Sequence, residues 1–241
     1  LLNTYSNANL RELISIRAAS CAIDVQHELW VGSAYEATIN VLKKKHNNIK
    51  LDYKIDLKRE ANHSGVPIFF FQDNQSRTWI ATNQGVLYSD PKSKKIKLIT
   101  KIKDQAVSIA EDKKSNIWIA TKGSGIYYIN KNNPDQVLQH IGQSTAVLKT
   151  NQIESLDVDK NDNLWIGTKD NRLLYYQTGL KKMEELANSA LFGKNQLLDI
   201  VCLNNTVWLS STRNIFKINA LNKDILEFTS TDSLQVNMFS K

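Results

Sequence analysis

Apolar positions along this chain recur in short consecutive blocks, not in helical steps. LWIGT at 164–168 and IWIAT at 117–121 are apolar on successive residues, and polar turns such as DKKSN at 112–116 and DKNDN at 159–163 precede them. Short runs of this kind, rich in branched and aromatic side chains, predict strands buried on both faces. Another apolar strand lies upstream of each: SCAID at 20–24, IFFFQD at 68–73, AVSIAED at 106–112, IESLDVD at 153–159 and LLDIVC at 197–202. Downstream come GVLYSD at 85–90, GIYYIN at 125–130, LLYYQT at 173–178 and IFKINA at 215–220. A fourth, lysine-rich strand follows, as in KKIKLIT at 94–100. Each unit reads as strand A, turn, strand B, loop, strand C, turn, strand D.

All five tryptophans fall at one position of this unit: Trp30, Trp79, Trp118, Trp165 and Trp208. The next residue is branched and apolar (Val31, Ile80, Ile119, Ile166, Leu209). A small one follows (Gly32, Ala81, Ala120, Gly167, Ser210), then a hydroxyl (Ser33, Thr82, Thr121, Thr168, Ser211). The indole offers a large plate to an inter-sheet layer, the small residue leaves room for a plate from next door, and the hydroxyl can bond a turn. Asp24, Asp73, Asp112 and Asp159 each stand six residues before a tryptophan, where a carboxylate can bond its own turn backbone. The fifth copy has a shorter turn and Leu203 in that place.

A strand-bearing repeat of roughly 40–50 residues is the signature of a propeller. The chain is therefore expected to be all-β: a β-propeller of four-stranded antiparallel blades, with five full blades and partial blades at both ends. The divisions run as blade I, 17–57; blade II, 64–101; blade III, 105–142; blade IV, 150–188; blade V, 195–230. LLNTYSNANLRELI at 1–14 aligns with LLYYQTGLKKMEEL at 173–186, so 1–16 reads as strands C and D of a preceding blade. LQVNMFSK within 232–241 reads as strand A of a following one. On this pattern the sequence is an excerpt of a larger propeller, since a ring needs closure to protect its edges.

Of the 241 residues, 41% are hydrophobic and 23% charged, and the net charge is +7. No apolar run approaches the roughly 18 residues that span a bilayer. The basic balance raises a nucleic-acid partner, but the positions of the lysines argue against one. Lys43, Lys44, Lys45, Lys92, Lys94, Lys95, Lys97, Lys131, Lys181, Lys182 and Lys223 fall in or near C–D turns and outer strands. There they keep exposed edges from pairing. Cys21 and Cys202 are too few for a disulfide scaffold or a zinc site and read as small buried apolar groups. His27, His46, His63 and His140 are dispersed and read as solvated loop residues, with no metal or nucleophile spacing. DKNDN imitates the start of a calcium loop, but Leu164 stands where glycine is needed and Asp170 where the closing glutamate is. No cofactor, metal or catalytic group is implied.

Rigid scaffolds carry function on their loops, and the B–C and D–A loops share one end of every blade. The B–C loops hold the candidate ligand-binding residues: Tyr35 and Glu36; Asn83 and Gln84; Lys122; Asp170, Asn171 and Arg172; and Arg213 and Asn214. The D–A loops add Asn62, His63, Asp104, Gln105, Asn151, Gln152, Asn195 and Gln196, with 56–66 as the largest insertion. Amides and charges beside an aromatic suit sugar hydroxyls.

The stretch IESLDVDKNDNLWIGTKDNRLLYY at 153–176 resembles the two-component-regulator propeller repeat. That repeat builds the periplasmic sensor region of hybrid histidine kinases of the Bacteroidetes type. The likeness covers nearly the whole chain. It departs at blade V, which lacks the aspartate, and at blade I, where AYEAT at 34–38 replaces a glycine-rich turn. The resemblance implies a non-catalytic, extracytoplasmic sensing domain whose parent carries two propellers, a β-sandwich, one membrane helix, a kinase core and DNA-binding outputs. It implies an oligosaccharide ligand, self-association within a dimeric sensor, contact with the membrane only through the parent, and no nucleic-acid binding by this part. The repeat has no position-level ligand motif, so it assigns no site residue. Lyases that open cyclic depsipeptides carry a similar repeat but need a histidine and acid cluster with a divalent metal. A plain interaction platform is the third reading.

Overall fold

The computed structural model describes residues 18–229 apart from 25, 46, 47, 92, 145, 146 and 194. The partial blades expected at 1–16 and 232–241 lie outside the described residues. Residues up to Gln105 and from Ala106 onward form two compact units.

The first unit holds two sheets. β1 (Ala18–Ile23), β2 (Leu29–Ser33), β3 (Thr38–Lys45) and β4 (Asn48–Asp56) form blade I. A short helix, α1 (Leu57–Ala61), leads to β5 (Pro67–Gln72), β6 (Thr78–Thr82), β7 (Gly85–Ser89) and β8 (Ile96–Leu98) of blade II. The second unit holds three. Blade III is β9 (Ala106–Glu111), β10 (Ile117–Thr121), β11 (Ile126–Asn130) and β12 (Asn133–Ile141). Blade IV is β13 (Ile153–Val158), β14 (Leu164–Thr168), β15 (Leu173–Gln177) and β16 (Lys182–Ala187). After α2 (Ser189–Phe192), blade V is β17 (Leu197–Leu203), β18 (Thr206–Ser211), β19 (Ile215–Asn219) and β20 (Ile225–Phe228). Every sheet is an antiparallel meander. By strand ends the longest D–A connection is 142–152, not the segment around α1, so the expectation for 56–66 is corrected.

Within each unit, successive blades meet through their first strands: β1 on β5, β9 on β13 and β13 on β17. The layers between them are made as the repeat dictates. Trp79 and Trp165 are fully buried, Trp118 is 2% exposed and Trp30 3%. Trp30 meets Phe70 of the next blade edge to face at 6.2 Å, and Trp118 meets Tyr176 at 6.3 Å. The small position is needed for this approach. A Cβ on Gly32 would stand 2.8 Å from Pro67 Cβ and 3.3 Å from Phe70 Cζ, so blade II can close on blade I only over a glycine.

The aspartate does more than bond its turn. Asp159 Oδ1 accepts the amides of Asn161 and Asn163 at 2.8 and 3.1 Å, while Oδ2 accepts Trp165 Nε1 at 3.1 Å. Asp24 and Asp73 hold Trp30 and Trp79 in the same way, at 3.0 and 2.7 Å. One carboxylate thus satisfies the hairpin and fixes the plate. In blade III, Asp112 Oδ2 instead accepts the hydroxyl of Tyr128 at 2.6 Å. Tyr128 stacks on Trp118 at 4.1 Å, and Trp118 Nε1 is left buried with no partner among the described residues.

Two expectations fail on exposure. Cys21 is exposed and Cys202 only half-buried, so neither is a fully buried apolar group. Cys21 lies on the less covered face of β1 with exposed Ile23, whereas Cys202 shares the inner face of β17 with Ile200 and packs, partly covered, against the core between blades IV and V. Burial and the nearby Asp157 carboxylate push the Cys202 thiol well up, away from reactivity.

Candidate functional site

In a four-stranded meander the B–C and D–A connections lie at the same end. Backbone hydrogen bonds join the two loops of a blade: Asn83 N to Val66 O at 3.2 Å, Lys169 N to Gln152 O at 3.0 Å and Thr212 N to Gln196 O at 2.9 Å. The hydroxyl that ends strand B shapes the turn. Thr82 Oγ1 and Thr121 Oγ1 donate to the carbonyls of Gly85 and Gly125, each at 2.8 Å. Ser211 Oγ does the same to Asn214 O at 3.0 Å, so the loops are held at their roots.

The first strand carries a feature absent from the sequence pattern. In all five blades the A–B register shifts by one residue at the start of strand A, at the loop end. The extra residue is Ala19, Ile68, Val107, Glu154 or Leu198. A bulge turns a strand and re-aims its side chain. Only in blade IV is that residue charged. Glu154 pairs with Lys169 at 3.1 Å and accepts Gln196 Nε2 at 3.4 Å. Sequence reasoning missed Glu154 and Lys169 because apolar alternation does not reveal a bulge.

The candidate residues divide into two clusters, one in each unit. In the first, α1 lies between the B–C loops of blades I and II. Leu57 N donates to Ala37 O at 2.9 Å at its start, and Val66 N donates to Asn83 Oδ1 at 2.8 Å beyond its end. Tyr35 is 68% exposed. Glu36 lies 3.4 Å from Lys54 Nζ in an exposed pair. Gln84 is exposed beside Asn83. The chain thus brings Tyr35, Glu36, Asn83 and Gln84 to one loop cluster around α1.

His63 in this cluster is buried, 6% exposed, which corrects its reading as a solvated loop residue. Its Nε2 lies 2.8 Å from Thr82 Oγ1, and burial lowers its pKa below the usual imidazole value. His27 is exposed as expected; His140 is exposed but lies on β12, stacked on Tyr127 at 4.4 Å with Nε2 2.6 Å from Ser124 O, which corrects its reading as a loop residue; His46 lies outside the described residues.

In the second unit, Arg172 is buried and fully engaged. It donates to Val147 O at 2.8 Å and to Leu148 O, and pairs with Asp170 at 2.9 Å and Glu185 at 3.6 Å. It is a clamp on the D–A connection, so the structure removes it from the surface available to a ligand. Burial pushes the Asp170 carboxyl up, but the Thr168 hydroxyl and the Arg172 guanidinium together hold it below its usual range. Asn171, at φ +58°, accepts Leu197 N at 3.3 Å. Asn214 Nδ2 donates to Glu227 at 2.5 Å. Lys122 and Arg213 are exposed. Gln196 links the Glu154–Lys169 pair to the loop that carries Arg213. Among the described residues no group of three His, Cys, Asp or Glu side chains is placed to hold a metal ion. No described helix is long and apolar enough to cross a membrane.

No protein-family model and no curated protein matches the sequence. Solved structures do. The extracellular domain of a protein assigned as a hybrid two-component system of B. thetaiotaomicron aligns over 97% of this chain, with a TM-score of 0.73 and 22% identity. The same domain type of a second such system from that organism aligns over 89%, with a TM-score of 0.60 and 16% identity. Virginiamycin B lyase of Staphylococcus aureus aligns over 90% of this chain and 70% of its own, with a TM-score of 0.68 and 14% identity. The chain spans 30% of the first domain's length and 36% of the second's. These likenesses show the fold, a β-propeller of four-stranded blades. They include extracellular domains of two-component systems, the protein type to which the repeat pointed.

Proposed function

We propose that this chain is part of the extracytoplasmic sensing region of a hybrid two-component regulator. It binds and does not catalyse; kinase activity belongs to the parent protein. The observation that carries the reading is the alignment of 97% of the chain with an extracellular sensor domain at a TM-score of 0.73. The loop chemistry supports a ligand of the oligosaccharide class. Tyr35 offers an exposed ring beside Glu36, Asn83 and Gln84, and Glu154, Lys169 and Arg213 offer charged donors and acceptors on the same end of blades IV and V. Binding at this end would alter how sensor domains sit in a dimer, and the parent would pass that change through the membrane to transcription. Nucleic acid is not a partner of this part.

Calorimetric titration of the folded chain against a panel of glycan fragments tests the reading. Heat from at least one oligosaccharide, lost in Tyr35→Ala or Glu154→Ala, is expected; silence from every fragment overturns it. Two further readings have their own assays. The likeness to virginiamycin B lyase favours an enzyme, and metal-dependent opening of a cyclic depsipeptide would establish that. Concentration-dependent self-association without any small ligand would favour a dimerisation platform.

A further inference from the structure

In the second unit, the end opposite the B–C and D–A loops carries side chains that the repeat does not require. A–B and C–D turns share this end, and bonds between them join blades III, IV and V into one surface. Asp162 Oδ1 accepts Lys113 N at 2.8 Å, and the carbonyl of Asp162 accepts Thr178 Oγ1 at 2.8 Å. Ala220 N donates to Asn205 O at 2.8 Å, and Lys223 Nζ lies 3.4 Å from the Tyr175 ring of blade IV. Two leucines stand on the C–D turns: Leu180 is 73% exposed and Leu221 64%. One exposed leucine is ordinary, but turn tips favour Gly, Asn, Asp and Ser, and blades II and III have Ser93 and Asn132 there. Blade IV has a neighbouring blade on each side, so the stacking of blades does not cover Leu180. A Cβ on the adjacent Gly179 would meet no described atom within 4 Å, so the tip stands clear of the rest of the unit.

The cations at this end also exceed what edge protection needs. Lys113, Lys114 and Lys160 are exposed in A–B turns, away from every D strand. The A–B turns of blades I, II and V carry Gln26, Gln75 and Asn204 instead, so the turn itself does not call for lysine. Lys181 and Lys182 stand exposed beside Leu180. Among the described residues these lysines outnumber the exposed carboxylates of the same end, Asp135 and Asp224. Turn tips project outward, which suits a broad, flat partner and not a small ligand that needs enclosure.

We propose that this end of blades III to V docks on an anionic phospholipid surface, with Leu180 and Leu221 entering the interface and the lysines lying among the headgroups. Charge complementarity selects an anionic surface over a neutral one. The leucines select a bilayer over a soluble polyanion, because only a bilayer holds an apolar layer directly beneath its charges. Each contribution is weak alone: a leucine gains by leaving water, and a lysine gains from the negative surface potential within a screening length. Together they give reversible, salt-sensitive binding. Docking here leaves the B–C loops of this unit facing away from the bilayer. It is a membrane contact made by the propeller itself, beyond the one the parent supplies. The docking does not rest on a glycan ligand, and its test uses none.

Co-sedimentation of the 241-residue chain with vesicles reads the docking. At about 0.15 M salt, vesicles of phosphatidylglycerol with phosphatidylethanolamine are expected to carry the chain down, and vesicles of phosphatidylcholine alone to leave it in solution. Raising the salt to about 1 M, where charges act over only about 3 Å, should release it. Leu180→Ala is expected to weaken the partition about tenfold, and Leu221→Ala repeats the measurement at the second tip. Reversing one charge at each end separates local docking from net charge. Lys160→Glu should cost about thirtyfold, and Lys149→Glu, exposed at the opposite end, less than about twofold. Equal losses in the two reversals, unchanged partition in both leucine variants, or no sedimentation with the anionic vesicles overturns the docking. Equal binding to the neutral vesicles overturns it as well. Release from the anionic vesicles by soluble polyglutamate at matched charge would assign the surface to an acidic protein and overturn the lipid partner.

Discussion

Blades IV and V lie side by side in one unit and follow one pattern, yet they treat their tryptophans differently. In blade IV a five-residue turn, 159–163, places Asp159 against both the hairpin and the indole, and Trp165 is fully buried. In blade V the turn shrinks to Asn204 and Asn205, with Leu203 paired to Thr206 across it. Leu203 is 61% exposed and Trp208 37%. The two indoles also differ in what covers them. The inner face of blade V, with Ile200, Val207 and Phe216, packs on Trp165. Trp208 instead stacks on Phe228 of its own sheet at 6.1 Å, with Lys217 over the ring. A tryptophan at the repeat position is therefore not a buried one by right. It needs a neighbouring blade, and the aspartate is the fixing that goes with it.

Truncation should separate the blades most. Trp165→Ala is expected to cost about 4 kcal/mol and Trp208→Ala about 1 kcal/mol, read as midpoints of chemical denaturation. Equal costs would break the comparison. Next comes the carboxylate. Asp159→Ala leaves a buried indole N–H and two turn amides without their acceptor, at about 3 kcal/mol. Asp112→Ala should cost less, about 2 kcal/mol, because Trp118 Nε1 is already unbonded and Tyr128 can still stack. The smallest effect tests the lysines. Lys223 Nζ lies 3.4 Å from the Tyr175 ring and 4.5 Å from Trp165, one blade away. Lys223→Ala should cost about 1 kcal/mol, and Lys181→Ala, at an exposed turn position, nothing measurable. The outcome would sharpen the reading of the lysines as edge protection, which fails for Lys223: its ammonium is a bolt between blades. Burial lowers the pKa of that ammonium, although Asp159 and Glu184 pull it the other way.

Much of the fold was legible because its determinants are local. The aspartate and the tryptophan six residues on meet across the A–B hairpin, and the hydroxyl three residues further closes the B–C turn, so short-range spacing records them. The candidate site was legible only as a set of loops. Asn83 and Asn171 look like free amides in sequence, but each spends its oxygen on a backbone amide of a neighbouring strand's approach, Val66 or Leu197. Arg172 looks like a surface cation, but two carbonyls and two carboxylates enclose it. These partners lie up to roughly 25 residues away along the chain, beyond the reach of any turn pattern.

The sequence by itself settled the blades: a chain that repeats an indole, a small residue and a hydroxyl on two-sided apolar strands can bury them only as stacked meanders. Tertiary structure alone decided the rest. It placed the bulge that aims Glu154, buried His63 against Thr82, and chose which lysine enters an aromatic layer and which stays in water. Each of these depends on what a neighbouring element brings into contact, and burial is a property of that contact and not of the residue.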